Sequence, residues 1–134
     1  RFNNLKIDNG IKDIQKQIEN CRLYVATYNA TTFLETLSYN IPTVIFWDPE
    51  RWELKEDVIP FFKQLREVGI FHESPQSASS KIFEVWNNVD DWWYSDKVQT
   101  ARVNFCSRFA RSPKDLAEEI YINLIQASKN DQTI

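Results

Sequence analysis

Two kinds of hydrophobic pattern follow one another along the chain. Short runs of apolar and β-branched residues at 23–26, 43–47 and 70–72 are typical of buried strands. Elsewhere the apolar residues recur every three or four positions, which predicts helices over about 11–20, 32–39 and 60–68, and two more from 75 and 98. Strands that alternate with helices in this order predict an α/β fold with a short parallel sheet.

The residues that end and start the helices support these boundaries. Asn40, followed by Pro42, is expected to end the second helix, because Asn tolerates a left-handed backbone and Pro cannot continue a helix. Gly69 is expected to end the third. Ser74-Pro75 and Ser112-Pro113 are typical helix starts.

Two amphipathic faces and one aromatic group are also expected. The fourth helix should bury Ile82, Phe83 and Trp86. The aromatic residues around position 93 are open to two interpretations, sugar stacking or packing against the core or another domain. They are Trp86, Trp92, Trp93 and Tyr94.

Length and composition are those of one globular domain. The chain has 134 residues, of which 43% are hydrophobic and 26% charged. We expect one domain over residues 1–128 and a frayed tail over 129–134. The chain begins with Arg1 and contains no Met, so we expect it to be part of a longer protein.

The scarce residue types exclude several kinds of site. A net charge of −3 argues against a general nucleic-acid binder. With 2 Gly, neither the dinucleotide fingerprint nor the P-loop can form, and with 1 His a His-rich zinc site cannot. The 2 Cys cannot build a disulfide framework, and no apolar stretch is long enough to span a membrane. We therefore expect a cytoplasmic domain without cofactor or metal.

The carboxyl ends of the predicted strands should form the functional edge, because ligands of open parallel sheets bind there. Residues 27–32, 48–53 and 72–74 would share that edge. Asn29, Thr31 and Thr32 lie where the first strand turns into a helix, and free amides and hydroxyls there favour a phosphate. The alternative is structural, since Thr32 and Glu35 have the spacing of a capping box.

The other polar residues near this edge are open to two interpretations as well. In the first interpretation Arg51 pairs with phosphate and Trp52 stacks on a base or sugar. In the second the loop is a solvated charged segment and Trp52 covers the core. For His72 we favour a packing or hydrogen-bonding role over a catalytic one. For Arg102, Arg108 and Arg111 we favour ion pairing on a solvated face.

A wider pattern resembles known enzymes. Residues 29–35 read NATTFLE, Pro42 follows after six intervening residues, and residues 43–46 read TVIF. This resembles the C-terminal, nucleotide-binding half of GT-B glycosyltransferases and of their relatives, UDP-N-acetylglucosamine 2-epimerase and the CDP-glycerol polymer transferases. The resemblance implies a Rossmann-like three-layer domain that binds a nucleotide-sugar. Ala30 and Asn40 depart from that pattern, because many relatives have glycine in the turn or before the Pro.

The resemblance implies roles for individual residues. The donor diphosphate would contact Asn29, Thr31 and Thr32, and Glu35 would meet the ribose or sugar hydroxyls. In the epimerase-like relatives an acidic–Arg loop lies near the ligand, which here corresponds to Glu50 and Arg51.

The expected function is donor binding in a transferase of bacterial surface-carbohydrate synthesis. The resemblance implies a nucleotide-sugar or CDP-polyol donor and an N-terminal domain of the same chain that supplies any general base. It is also compatible with peripheral membrane association of the complete protein. The fragment alone would be inactive. Two alternatives remain, a nucleotide-sugar epimerase and a non-catalytic α/β interaction module.

Overall fold

The computed structural model describes residues 6–111 and 120–122. Its elements are α1 (Ile14–Glu19), β1 (Tyr24–Ala26), α2 (Thr32–Ser38), β2 (Thr43–Phe46), α3 (Ile59–Glu67), β3 (Phe71–His72), α4 (Pro75–Val85), α5 (Val89–Trp93) and α6 (Asp96–Phe109). Residues 120–122 are also helical. The predicted helix start at Ser112 and the tail from residue 129 lie outside the described residues. The order of elements confirms the α/β class.

The strands of the described residues form one parallel sheet in the order β1–β2–β3. Ala26, the last residue of β1, pairs with Ile45, and Phe46 pairs with His72, so the ends of neighbouring strands lie within one residue of each other. Because the strands run in the same direction, the segments that follow them emerge at one edge of the sheet. This is the shared edge that the sequence predicts.

Helices cover both faces of the sheet. Ile45 faces a core that α2, α3, α5 and α6 build together. Val44, one residue earlier, is also fully buried and faces the opposite side, against which α4 packs. The main contributors to the larger core are Phe33, Leu37, Phe62, Leu65, Phe71, Trp93 and Phe105. The arrangement has three layers, as the sequence predicts for a Rossmann-like domain.

The end of α2 is a left-handed turn at Asn40, whose φ is 58°. The Ile41 amide donates to the Thr36 carbonyl at 2.9 Å and the Asn40 amide donates to the Leu37 carbonyl at 3.2 Å. These two bonds define a Schellman motif, in which a residue with positive φ ends the helix. The role predicted for Asn40 is therefore confirmed.

Side chains from α5 and α6 fasten this turn. The fully buried Trp93 donates through Nε1 to both the backbone O and Oδ1 of Asn40, each at 3.0 Å. Gln99 Nε2 donates to the same Oδ1 at 3.0 Å, and Arg102 Nη1 donates to the Leu37 carbonyl at 2.9 Å. The last carbonyls of α2 thus gain partners from elements more than fifty residues away.

Gly69 ends α3 in the same way, with a φ of 78°. The Ile70 amide donates to the Leu65 carbonyl at 2.9 Å, and the Gly69 amide donates to the Arg66 carbonyl at 3.1 Å. A Cβ at position 69 would lie 2.6 Å from Cε of Lys81. Both the backbone angle and the space therefore favour glycine here.

The first helix is shorter than the 11–20 expected from the sequence. It spans Ile14–Glu19, because Asp13 Oδ1 accepts a hydrogen bond from the Gln15 amide at 3.0 Å and so caps its start. Of its residues only Ile18 is buried. The expected apolar stripe is therefore largely exposed.

The prediction for the apolar face of α4 is wrong. Ala78 and Val85 are the buried residues of this helix, whereas Phe83 is 87% exposed and Trp86 is 48% exposed. α4 packs against β2 and β3, and Ala78 and Val85, seven residues apart, lie on one face of the helix, while Ile82 is half-buried. The larger side chains lie to the side of that contact.

The aromatic group around position 93 is divided between core and surface. Trp93 is in the core, and Trp92 packs against the core and donates through Nε1 to the Val68 carbonyl at 3.0 Å. Trp86 and Tyr94 are exposed. These side chains therefore do not form a continuous stacking platform.

Replacing Asn40 tests the turn that ends α2. We expect Asn40→Ala to lower the free energy of unfolding by about 1–3 kcal/mol. The acceptor Oδ1 is lost, and alanine adopts a positive φ less readily than asparagine does. Asn40→Gly should lose less, since glycine accepts the backbone angle. Urea unfolding measures both.

The matched control for this prediction is Asn87→Ala, at an exposed position just after α4. It should change the free energy of unfolding by no more than about 0.5 kcal/mol. Equal losses for Asn40→Ala and Asn87→Ala would contradict the role given to the turn.

Candidate functional site

The bend after β1 lies open at the carboxyl edge of the sheet. Thr27, Asn29 and Thr31 are exposed, and Tyr28 is 56% exposed. The Ala30 amide donates to the Tyr28 carbonyl at 3.0 Å, which closes a tight turn before α2. The exposure of these side chains leaves the Thr27 and Thr31 hydroxyls and the Asn29 amide accessible to a ligand.

The capping box that the sequence allows is not formed. α2 begins at Thr32, its N-cap residue is Thr31, and the Thr31 side chain makes no capping hydrogen bond. The Thr31 carbonyl accepts from the amides of Leu34 and Glu35 at 2.9 and 3.3 Å. Because the box requires Thr32 at the N-cap, the structural alternative for this segment is wrong.

Tyr24 is a polar residue of this region that sequence reasoning missed. Its hydroxyl forms a hydrogen bond with the Thr32 side chain and lies near Tyr28 and Glu35. Burial raises the pKa of the Tyr24 hydroxyl, and the bond to Thr32 opposes that rise only in part. The hydroxyl is therefore neutral at physiological pH and can hold Thr32 in place. Because Tyr24 lies within the apolar run of a predicted strand, the sequence did not indicate its contact with Thr32.

Glu35 lies on the first turn of α2 and is exposed. It borders a shallow depression of about 170 Å³ together with Tyr39 and Arg111, and another of about 150 Å³ together with Gln15 and Ile41. Its neighbours are thus α1 and the segment after α6.

Asp48 organises the loop after β2. Its Oδ1 accepts from the Glu50 amide and its backbone carbonyl accepts from the Arg51 amide, each at 3.0 Å. Arg51 Nε lies 3.5 Å from Asp48 Oδ2 in an exposed pair. Glu50 and Arg51 share the carboxyl edge with Thr31, but no hydrogen bond or ion pair of the described residues joins the two segments.

A cavity of about 220 Å³ lies behind this loop, between residues 47–54, α3 and the end of β3. Lys63 and Arg66 line it from α3, and Glu73 lines it from the segment after β3. Arg66 Nη1 donates to Glu73 Oε1 at 2.7 Å. The three charged residues were not predicted as a group, because they come from different elements that only the fold brings together.

The aromatic wall of the cavity contains a buried donor without an acceptor. Trp47 is 3% exposed, and its Nε1 has no hydrogen-bond partner among the described residues. Leaving such a donor unsatisfied costs roughly 1–3 kcal/mol. Trp52, also in the wall, is 43% exposed. The partial exposure leaves part of its ring accessible.

His72 and two of the arginines have structural partners. His72 Nε2 lies 3.0 Å from the Gly69 carbonyl, which confirms the hydrogen-bonding role. Arg102 binds the end of α2, and Arg108 Nη2 lies 3.8 Å from Asp57 Oδ2. These observations favour the structural interpretation of His72, Arg102 and Arg108.

The sequence itself decides the family. Residues 1–125 match the family model described as LIC12162 family transferase. The chain belongs to this family. No curated protein and no solved structure was found to match it significantly. The carboxyl edge described above is therefore the candidate site of a LIC12162 family transferase.

Two further features of this LIC12162 family transferase concern the described residues alone. None of their helices has both the length and the apolar character needed to cross a membrane. Within the same residues no group of three or more His, Cys, Asp or Glu side chains is arranged to hold a metal ion.

The pH dependence of stability tests the environment of His72. The pKa of His72 lies below its usual value of 6.5, and burial is the largest cause. The positive charge of Lys81 also lowers this pKa, whereas the hydrogen bond with the Gly69 carbonyl opposes the shift. Because the unfolded chain then binds more protons, the free energy of unfolding should fall as the pH drops from about 7.5 to about 5.5. Urea unfolding at several pH values measures this slope.

The control for this prediction is His72→Gln, which removes the chain's 1 His and keeps an N–H donor for Gly69. The variant should show a flatter dependence over the same pH range. Identical slopes for the two proteins would mean that His72 is not responsible.

Proposed function

We propose that this domain binds the donor of a transferase that builds cell-surface polysaccharide, within a GT-B-type enzyme. The donor would be a nucleotide-sugar or a CDP-polyol. Membership of a transferase family supports the reaction type. The observation that carries the donor site is the open, uncapped bend at the carboxyl edge of a parallel sheet.

In this proposal, hydroxyl and amide donors bind the diphosphate. α2 has seven residues, so its dipole contributes little, and direct hydrogen bonds matter more. The exposed Thr31 hydroxyl is not engaged in capping, and the Thr32 side chain lies beside it, close to the Tyr24 hydroxyl. The side-chain amide of Asn29 adds a third donor on the same bend. A charge-assisted hydrogen bond of this kind contributes about 1.5–3 kcal/mol.

Glu35 and the loop after β2 would complete the site. Glu35 is an exposed acceptor, suited to ribose or sugar hydroxyls. The exposed pair of Arg51 with Asp48 contributes little, so Arg51 can leave it for a phosphate at small cost. Glu50 lies next to Arg51 and offers a further acceptor for hydroxyl groups.

These groups would act on the leaving group of the reaction. For a nucleotide-sugar donor, the acceptor hydroxyl gives its proton to a general base of the N-terminal domain, and its oxygen forms a bond to the anomeric carbon. The bond from that carbon to the diphosphate breaks, and the nucleoside diphosphate takes the electron pair. Fixed donors at that diphosphate stabilise the developing negative charge. Thr31, Thr32 and Arg51 would supply them.

Titration with UDP, CDP and GDP tests the donor site. We expect at least one of them to shift the amide resonances of residues 31–35 in an NMR spectrum. Thr31→Val keeps the shape but removes the hydroxyl, and should weaken binding about tenfold. Thr100→Val, at an exposed position of α6, is the matched control and should bind as the wild type does. No shift with any of the three nucleotides would contradict the site.

Product analysis of the complete protein tests the reaction. A transferase should release the nucleotide in step with transfer to an added acceptor, and release should stop when the acceptor is omitted. Conversion of the donor's sugar in the absence of an acceptor would instead identify an epimerase.

A further inference from the structure

We propose that the cavity behind the loop after β2 is a second binding site of this transferase, for a pyranose ring that carries an anionic group. The cavity lies between residues 47–54, α3 and the end of β3. It involves none of the residues 29–35 assigned to the nucleotide, so the two sites can be tested separately. The anionic group would be a carboxylate or a phosphate.

The size and the walls of the cavity suit one sugar ring. Its volume of about 220 Å³ is below the roughly 300–1,000 Å³ usual for drug-sized ligands, and too small for a whole nucleoside diphosphate. Trp47, Phe62 and Phe71 form an aromatic wall, with ring centroids 4.7–5.4 Å apart. Trp52, being partly exposed, offers a ring against which the C–H face of a pyranose can pack.

The charged residues at the cavity favour an anionic ligand. Arg66 and Glu73 pair at 2.7 Å and so neutralise each other, while still offering donors and an acceptor to ring hydroxyls. Lys63 has no ion-pair partner among the described residues. One positive charge is therefore left unbalanced beside an apolar wall, where it attracts an anionic group.

The indole N–H of Trp47 is itself buried and has no hydrogen-bond partner among the described residues. Buried donors in proteins are normally satisfied, and this one is not. Trp47 is itself part of the cavity wall. A sugar packed against this wall would change the surroundings of the indole ring, which makes the Trp47 resonance a reporter of binding.

The experiment follows the indole N–H resonances of the ¹⁵N-labelled 134-residue chain during titration with glucuronate, glucose 6-phosphate and glucose. Trp47→Phe and Trp52→Phe assign two of the signals. We expect the Trp47 and Trp52 signals to shift with both glucuronate and glucose 6-phosphate. The relative affinities of these two sugars show whether the site prefers a carboxylate or a phosphate. Glucose should bind about tenfold more weakly, as one charge-assisted contact is lost. Trp93, already bonded to Asn40, is the internal control and should not move.

A charge variant tests the role of Lys63. Lys63→Gln, at an exposed position, should reduce the affinity for both anionic sugars to that for glucose, whereas Lys97→Gln on α6 should leave it unchanged. The proposal is overturned if no sugar moves the Trp47 and Trp52 signals, if glucose binds as tightly as the anionic sugars, or if Lys63→Gln has no effect. If UDP, CDP or GDP moves these signals and the sugars do not, the cavity is part of a nucleotide site. Failure of the donor site appears separately, at the amides of residues 31–35.

Discussion

The left-handed turn at Asn40 is the constraint on which the arrangement of the candidate site depends. It ends α2 and returns the chain into β2, which then runs parallel to β1. Trp93, Gln99 and Arg102 hold the turn by hydrogen bonds from the C-terminal helices. Since the direction of β2 determines where its loop emerges, this turn brings the bend after β1 and the loop with Arg51 to one edge.

The sequence predicts those parts of the fold that local chemistry determines. Asn40 and Gly69 mark helix ends because few other residues accept a positive φ. Ser74 starts α4 by accepting a hydrogen bond from the Ser77 amide at 3.2 Å. The parallel sheet follows from short apolar runs separated by helices. In each case the deciding interaction lies within a few residues of the signal.

Tertiary contacts determine the features that the sequence did not predict. Phe83 is more hydrophobic than Ala78, yet Ala78 is buried and Phe83 exposed, because α4 packs against β2 and β3 through one face only. The capping box failed for a similar reason: its spacing was correct, but α2 begins at Thr32, one residue earlier than the box requires. The cavity charges could not be found at all, since Lys63 and Glu73 become neighbours only after α3 and β3 pack together.

The two proposed sites together assign a role to the loop after β2. If phosphate binds at Thr31 beyond β1 and a sugar binds beside Glu73 beyond β3, the loop after β2 lies between them, because β2 is the middle strand. A transferase must bring the leaving group and the acceptor together, and this loop is the element that can touch both. Asp48 fixes its backbone by two hydrogen bonds, while the Arg51 side chain remains exposed and weakly paired. A rigid backbone that carries one adjustable cation is suited to that position, since the charge can follow the phosphate as the bond to it breaks.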